Sequence, residues 1–167
     1  MPFLPPPPSR LFLMRHAQAG WAKPGQTDFD RVLDAAGQEE AAAVSRLAAD
    51  SGFRPDLILC STAARCRETA AAFVEAFAVP PEILYCQELY NAPPSAYFEQ
   101  ISLHANHASL LLIGHNPAME EILETLSGMR ASADVVPDGY PTAGFAVLTH
   151  VGAIADEAWT ISAFLRR

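Results

Sequence analysis

The chain has 167 residues, of which 50% are hydrophobic, and a formal net charge of −8. That length suits one domain with a sizeable buried core. The acidic balance argues against a nucleic-acid binder or a partner of anionic membranes, since both need a basic face; any phosphate must instead be met by a few arginines gathered in one place.

Residues 1–9 read as a Pro-rich flexible tail. MPFLPPPPSR has four consecutive prolines and no apolar core of a secretory signal. Residues 10–167 read as a single domain. Leu11–Met14 is a short buried-type strand that runs directly into Arg15 and His16. Trp21 and Lys23 sit in the loop beyond, positioned either to touch substrate or to cover the site. The helix formers of 35–50 place Val44, Leu47 and Ala48 at helical spacing, and Gly52 and Pro55 close that helix. Leu57–Cys60 is a second apolar strand. Residues 64–78 are helical, with Phe73 and Phe77 on one face, and Pro80 and Pro81 stop them. Ile83–Tyr85 is a weak strand, and 94–104 is a helix opening at Pro94. Leu110–Ile113 is the third clear strand. Residues 117–127 form an amphipathic helix with Met119, Ile122, Leu123 and Leu126 inward. Phe145–Thr149 and Trp159–Leu165 are late strands joined by a polar link near Asp156 and Glu157.

Strands that alternate with helices predict an α/β fold built from βαβ units, a largely parallel sheet with helices on both faces. The late strands are too close for a crossover helix and are expected to pair antiparallel. No apolar run approaches membrane-spanning length. The three cysteines form no CxxC pair, which reads as free thiols in a reducing cytoplasm. Cys66 beside Arg65 is read as a packing residue; the competing reading is a thiol activated by that charge.

In open α/β sheets, ligands bind beyond the carboxyl ends of the strands. Arg15 and His16 follow the first strand; Ser61, Thr62 and, one turn on, Arg65 follow the second; Gly114, His115, Asn116 and Pro117 follow the third. Three strand ends thus bring two arginines and two histidines to one edge. In GHNP, Asn116 is a candidate N-cap and Pro117 a first helical residue, which sets His115 at a helix N-terminus whose dipole and free N–H groups favour an anion. Arginine forks suit a tetrahedral oxyanion. His104, His107 and His150 read as surface or capping residues, and Arg67 faces away from Arg65. A metal is not expected: there is no HxH, HExxH or cysteine pair, and the arginines would repel a cation. A histidine inside an anion pocket is a candidate nucleophile that takes a phosphoryl group onto its ring nitrogen and yields it to water, with Arg15, Arg65 and His115 neutralising the oxygens.

LMRHA, CSTAARCRET and LLIGHNP, in that order, resemble the histidine phosphatase superfamily, with its phosphoglycerate-mutase-like fold. That family carries RHG, a middle S-P-x-x-R-x-x-Q-T segment and a late GH. Ala17 stands here for the glycine, Thr62 for the proline and Glu68 for the glutamine. The resemblance spans most of 11–165. It implies a three-layer α/β/α sandwich, His16 as the phosphorylated nucleophile, and Arg15, Arg65 and His115 as the phosphate-binding residues. Within the superfamily, the short length, ELYNAP, GHNP and PTAG at 141–144 resemble the SixA-like phosphohistidine phosphatases. Larger members use a carboxylic acid to protonate the leaving oxygen; Glu88 is the candidate by position, and a surface glutamate is its competing reading.

The expectation is a cytoplasmic phosphatase, without metal or other cofactor, that acts on phosphohistidine of a partner protein. Two alternatives stand beside it. One is a broad phosphomonoesterase of small phosphate esters. The other is a catalytically silent phosphate-binding module. A mutase fits less well, because little of the chain between Leu84 and Leu110 is left to shield a phosphoenzyme from water.

Overall fold

The three clear apolar runs form the middle of a six-stranded sheet in a computed structural model that describes residues 8–150 and 159–167. The strands are β1 (Arg10–Arg15), β2 (Leu57–Ser61), β3 (Glu82–Cys86), β4 (Ser109–Gly114), β5 (Phe145–Thr149) and β6 (Thr160–Leu165), in the order β3-β2-β4-β1-β5-β6. β1, β2, β3 and β4 are mutually parallel. β5 runs antiparallel to both β1 and β6, so it alone breaks the parallel order. The helices are α1 (Ala35–Asp50), α2 (Ala64–Glu75), α3 (Pro94–Leu103), α4 (Ala118–Ser127) and α5 (Met129–Val135).

The strands are apolar at consecutive positions because both faces are covered. Leu11, Leu13, Leu57, Leu59, Leu110 and Leu112 pack with Tyr97 and Ile101 of α3 and Met119, Ile122 and Leu123 of α4. The alternate residues Phe12, Met14, Ile58, Cys60, Leu111 and Ile113 pack on the opposite face with Ala41, Val44 and Ala48 of α1 and Ala70 and Phe73 of α2. The chain is therefore the expected α/β/α sandwich. Each fully buried leucine or phenylalanine contributes about 1.5–3 kcal/mol through this burial.

Several boundaries differ from the sequence reading. Leu47 stands 44% exposed although its spacing pointed inward, because α1 turns a narrow stripe of Ala41, Val44, Ser45 and Ala48 to the sheet. α2 ends at Glu75, three residues before the expected end at 78. α5 had not been anticipated. It starts straight after Gly128, whose φ of +91° ends α4 and re-aims the chain. Pro8 is buried and Ser9 is tied to the sheet, its hydroxyl donating to the Ala108 carbonyl (3.0 Å) and its own carbonyl accepting from His150 N–H (3.1 Å). The fold thus begins inside the segment read as tail. Residues 1–7 and the link at Asp156 and Glu157 lie outside the described residues.

Gly114, at the end of β4, has no room for a side chain. A Cβ there would run into the ring of Tyr97, a buried residue whose hydroxyl donates to the Leu89 carbonyl (3.1 Å) and accepts the His115 N–H (3.3 Å). Gly114→Ala is therefore expected to destabilise the fold by about 1–3 kcal/mol, the usual cost of overpacking, measured by denaturant unfolding. A stability equal to wild type would show that Tyr97 can yield.

Candidate active site

Register alone assembles the site. Arg15 pairs with Gly114 across β1 and β4, and Cys60 pairs with Ile113 across β2 and β4. Arg15, Ser61 and Gly114 therefore share one level at the carboxyl edge, with His16 and His115 one step beyond. The His16 N–H donates to the Gly114 carbonyl (3.0 Å), and the two imidazole centroids stand 5.4 Å apart. On the other side, Arg15 N–H donates to the Gly144 carbonyl (3.2 Å) and Ala143 N–H donates to the His16 carbonyl (3.2 Å). The PTAG segment thus braces both residues.

The partners of His16 define its tautomer. Its Nδ1 lies 2.7 Å from the Ala17 carbonyl, which can only accept, so Nδ1 carries the proton and Nε2 keeps its lone pair. Ala17 is itself held, its N–H donating to the Thr69 hydroxyl (3.0 Å) while that hydroxyl donates to the Arg65 carbonyl (2.7 Å). The free Nε2 receives the Arg65 Nε–H at 3.3 Å. Burial lowers the His16 pKa to about 3, the charges of His115, Arg65 and Arg15 push the same way, and the Ala17 bond opposes them. The ring is neutral at neutral pH, as a nucleophile must be.

His115 follows the same logic. Its Nδ1 accepts from Arg65 Nη2 (3.3 Å), and its Nε2 meets the Ser61 hydroxyl at 2.8 Å. The guanidinium can only donate, so Nδ1 keeps its lone pair and Nε2 carries the proton, which the Ser61 hydroxyl accepts. Burial, then the Arg65 charge, lowers the His115 pKa to about 4. The sequence had placed free helical N–H groups here. Instead the N-cap of α4 is Pro117, and the N–H groups of Met119 and Glu120 are taken by the His115 carbonyl (3.0 Å) and Asn116 Oδ1 (3.3 Å).

Arg65, in the first turn of α2, is buried and touches both imidazoles. Its Nη1 donates to the Asp28 carbonyl (2.8 Å) and its Nη2 to Asp28 Oδ2 (3.1 Å). Arg15 donates through Nη1 to the Tyr140 carbonyl (2.8 Å), while its Nε is buried with no partner among the described residues. A buried donor without an acceptor is costly, and an incoming oxyanion would remove that cost. Desolvation lowers the Arg15 pKa, and Glu120 and Glu40 oppose this. Glu120 also accepts the Tyr140 N–H (3.0 Å), and Glu40 accepts both the Gln18 N–H (3.1 Å) and the Thr142 hydroxyl (3.0 Å), so two carboxylates tie together the loops beside His16.

Three candidates stand elsewhere. Glu88 is exposed, and none of its bonds reaches the four residues; the short 3-10 turn Gln87–Leu89 sends Leu89, not Glu88, inward. Trp21 is 92% exposed with Arg31 packed over its ring (5.8 Å to the centroid), and Lys23 is exposed too; neither covers the histidines. Cys66 does reach the site, its Sγ 3.5 Å from His115 Nε2, but it is fully buried and that burial pushes its thiol up to about 12, so it packs there as a thiol. Arg67 lies over the Tyr85 ring (4.4 Å), away from the site as its spacing implied. The sequence reading missed Asp28 and Tyr90, whose hydroxyl donates to Asp28 Oδ2 (2.8 Å). The local signal was TDFD, a capping box in which Thr27 and Asp30 fold the turn that presents Asp28.

The model of the histidine phosphatase superfamily (branch 1) matches residues 11–86. A structure named as a phosphohistidine phosphatase, SixA, from Agrobacterium tumefaciens is 44% identical over 96% of this chain and 99% of its own, with a TM-score of 0.87. The chain belongs to the histidine phosphatase superfamily. A second structure bearing the SixA name, from Nakamurella multipartitia, is 28% identical over 94% of this chain and 95% of its own, with a TM-score of 0.75. An uncharacterized protein of Mycobacterium tuberculosis is 34% identical over 86% of this chain and 90% of its own length. The family match and the 44% identity to a SixA phosphatase structure together show that the chain is a phosphatase. No helix among the described residues is long and apolar enough to cross a membrane.

The two depressed imidazoles bear on stability. Each has a folded pKa, about 3 and about 4, below the ordinary 6.5, so the unfolded chain binds more protons between those values. Stability is expected to be full above about pH 6.5 and to fall as pH drops towards 4 and then 3. Proton NMR should find both rings neutral at pH 5; a midpoint near 6.5 for either would contradict the burial.

Proposed function

We propose that this phosphatase removes phosphate from phosphohistidine on a partner protein, through a covalent phosphoryl intermediate on His16. The observation that carries the reading is the free Nε2 of His16, neutral and flanked by Arg65 and His115. Phosphoryl oxygens take the donors of Arg15 and Arg65, which frees Nε2 from the Arg65 Nε–H. Nε2 attacks phosphorus in line, and the bond to the departing group breaks. Water then attacks the phosphoryl group on His16, the P–N bond breaks, and phosphate leaves. Preorganised donors aimed at the equatorial oxygens account for most of the acceleration.

The lack of a bond between Glu88 and the site supports the substrate class. An alkoxide leaves only with a proton from an acid, whereas an imidazole that already carries a proton on its second nitrogen leaves as a neutral molecule. The 44% identity to a structure named for phosphohistidine supports the same class. The three free cysteines suit the cytoplasm, the compartment of this reading.

The test is phosphate release from a phosphohistidine-bearing phosphotransfer domain without added metal, beside hydrolysis of an aryl phosphate. His16→Ala is expected to abolish both. Arg65→Ala should lower kcat by about 10²–10³, the cost of one oxyanion donor. Turnover of the aryl phosphate alone by the wild type would point to small esters, and tight phosphoprotein binding without release to a silent binding module.

A further inference from the structure

The loop between β1 and α1 delivers one carboxylate to the mouth of the site. Asp28 Oδ2 accepts from Arg65 Nη2 (3.1 Å) and the Tyr90 hydroxyl (2.8 Å), and Oδ1 accepts from Arg31 Nη1 (3.0 Å). A carboxylate offers about four acceptor sites, so one stays open, and the side chain is 53% exposed. Arg65 Nη2 bridges Asp28 to His115, which sets the carboxylate one guanidinium away from the nucleophile's partner. An aromatic wall stands beside it. The Tyr90 ring meets His115 edge-on at 5.7 Å and Phe29 edge-on at 4.9 Å, and both Tyr90 and Phe29 are only partly buried.

Resting on the phosphatase reading above, we infer that Asp28 and Tyr90 form a leaving-group subsite for a protonated imidazole. Phosphate cannot be what this carboxylate serves directly, since like charges repel. A phosphorylated histidine protonated on its second nitrogen presents the complementary group, a flat cation with one N–H. The open lone pair of Asp28 accepts that N–H, and the Tyr90 face meets the ring. The bond between Nε2 of His16 and phosphorus forms as the substrate P–N bond breaks. Its electron pair goes to the departing nitrogen, the proton stays on the other, and neutral imidazole leaves. Once the phosphoryl oxygens take the Arg65 charge, Asp28 is less neutralised and holds the cation more strongly. The bond from Tyr90, with those from Arg31 and Arg65, keeps its pKa down at about 2, so the acceptor is ionised. A phenolate or alkoxide leaving group gains nothing here and is repelled.

A role in holding Arg65 would affect every substrate alike, whereas a leaving-group subsite affects only the imidazole. The experiment compares kcat/KM of wild type, Asp28→Asn and Asp28→Glu on a phosphohistidine peptide and on an aryl phosphate. Asp28→Asn is expected to lose about tenfold or more on the phosphohistidine peptide beyond its loss on the aryl phosphate, the scale of one charged hydrogen bond. Asp28→Glu should restore part of that ratio, which also covers the case of a poorly folded asparagine variant. Equal losses on both substrates, or none on either, would overturn the subsite and leave the phosphatase reading standing. A wild type that hydrolyses only the aryl phosphate would overturn the phosphohistidine reading and the subsite with it.

Discussion

The pairing of β1 with β4 is the constraint on which the site rests. Parallel strands keep a fixed register, and a slip of one residue would turn every side chain to the other face. Leu11 and Leu13 on one face and Phe12 and Met14 on the other forbid that slip, because each set fills its own core. The same register that buries them ends both strands together, and His16 and His115 come to stand with their rings 5.4 Å apart. Packing thus supplies the precision that the chemistry uses.

Around that pair the electrostatics are deliberately unbalanced. Two imidazoles lie between arginines, and burial keeps both neutral. Carboxylates flank the arginines: Glu120 and Glu40 act on Arg15, and Asp28 holds Arg65 from the mouth of the site. Beside this positive charge, the buried Arg15 Nε–H has no partner among the described residues and is left for an anion. The loops that carry the carboxylates are themselves fixed. Gly37 lets α1 approach the Gln18 carbonyl so closely that a Cβ would collide with it, and the Glu68 carboxylate accepts the Leu33 N–H (2.7 Å). The glutamate that replaces the family's glutamine therefore serves the loop beside the nucleophile.

The sheet was legible because its strands are covered on both faces and read as unbroken apolar runs between breakers. The charged positions were legible because each follows a strand end, where an α/β sheet binds its ligands. α5 escaped notice since MRASADV is short and follows a single glycine with no periodic face. The cap of α4 went astray by one residue, a shift that local propensity does not resolve. For Asp28, TDFD marked only the turn that presents it, not its part in the site. Its role depends on a loop that folds back across 37 residues to Arg65, and no periodicity records such a contact. Glu88 illustrates the reverse case: its position in the chain pointed to the site, but a 3-10 turn sent its neighbour inward instead.

The central claim is that the free Nε2 of His16 takes the phosphoryl group. The most direct measurement is rapid quenching of the enzyme into alkali during turnover, which preserves phosphohistidine, followed by peptide mapping by mass spectrometry. A transient phosphoryl group on His16, absent when that residue is alanine, is the expected result. A phosphoryl group carried by another residue, or turnover with no phosphoenzyme at any quench time, would contradict it.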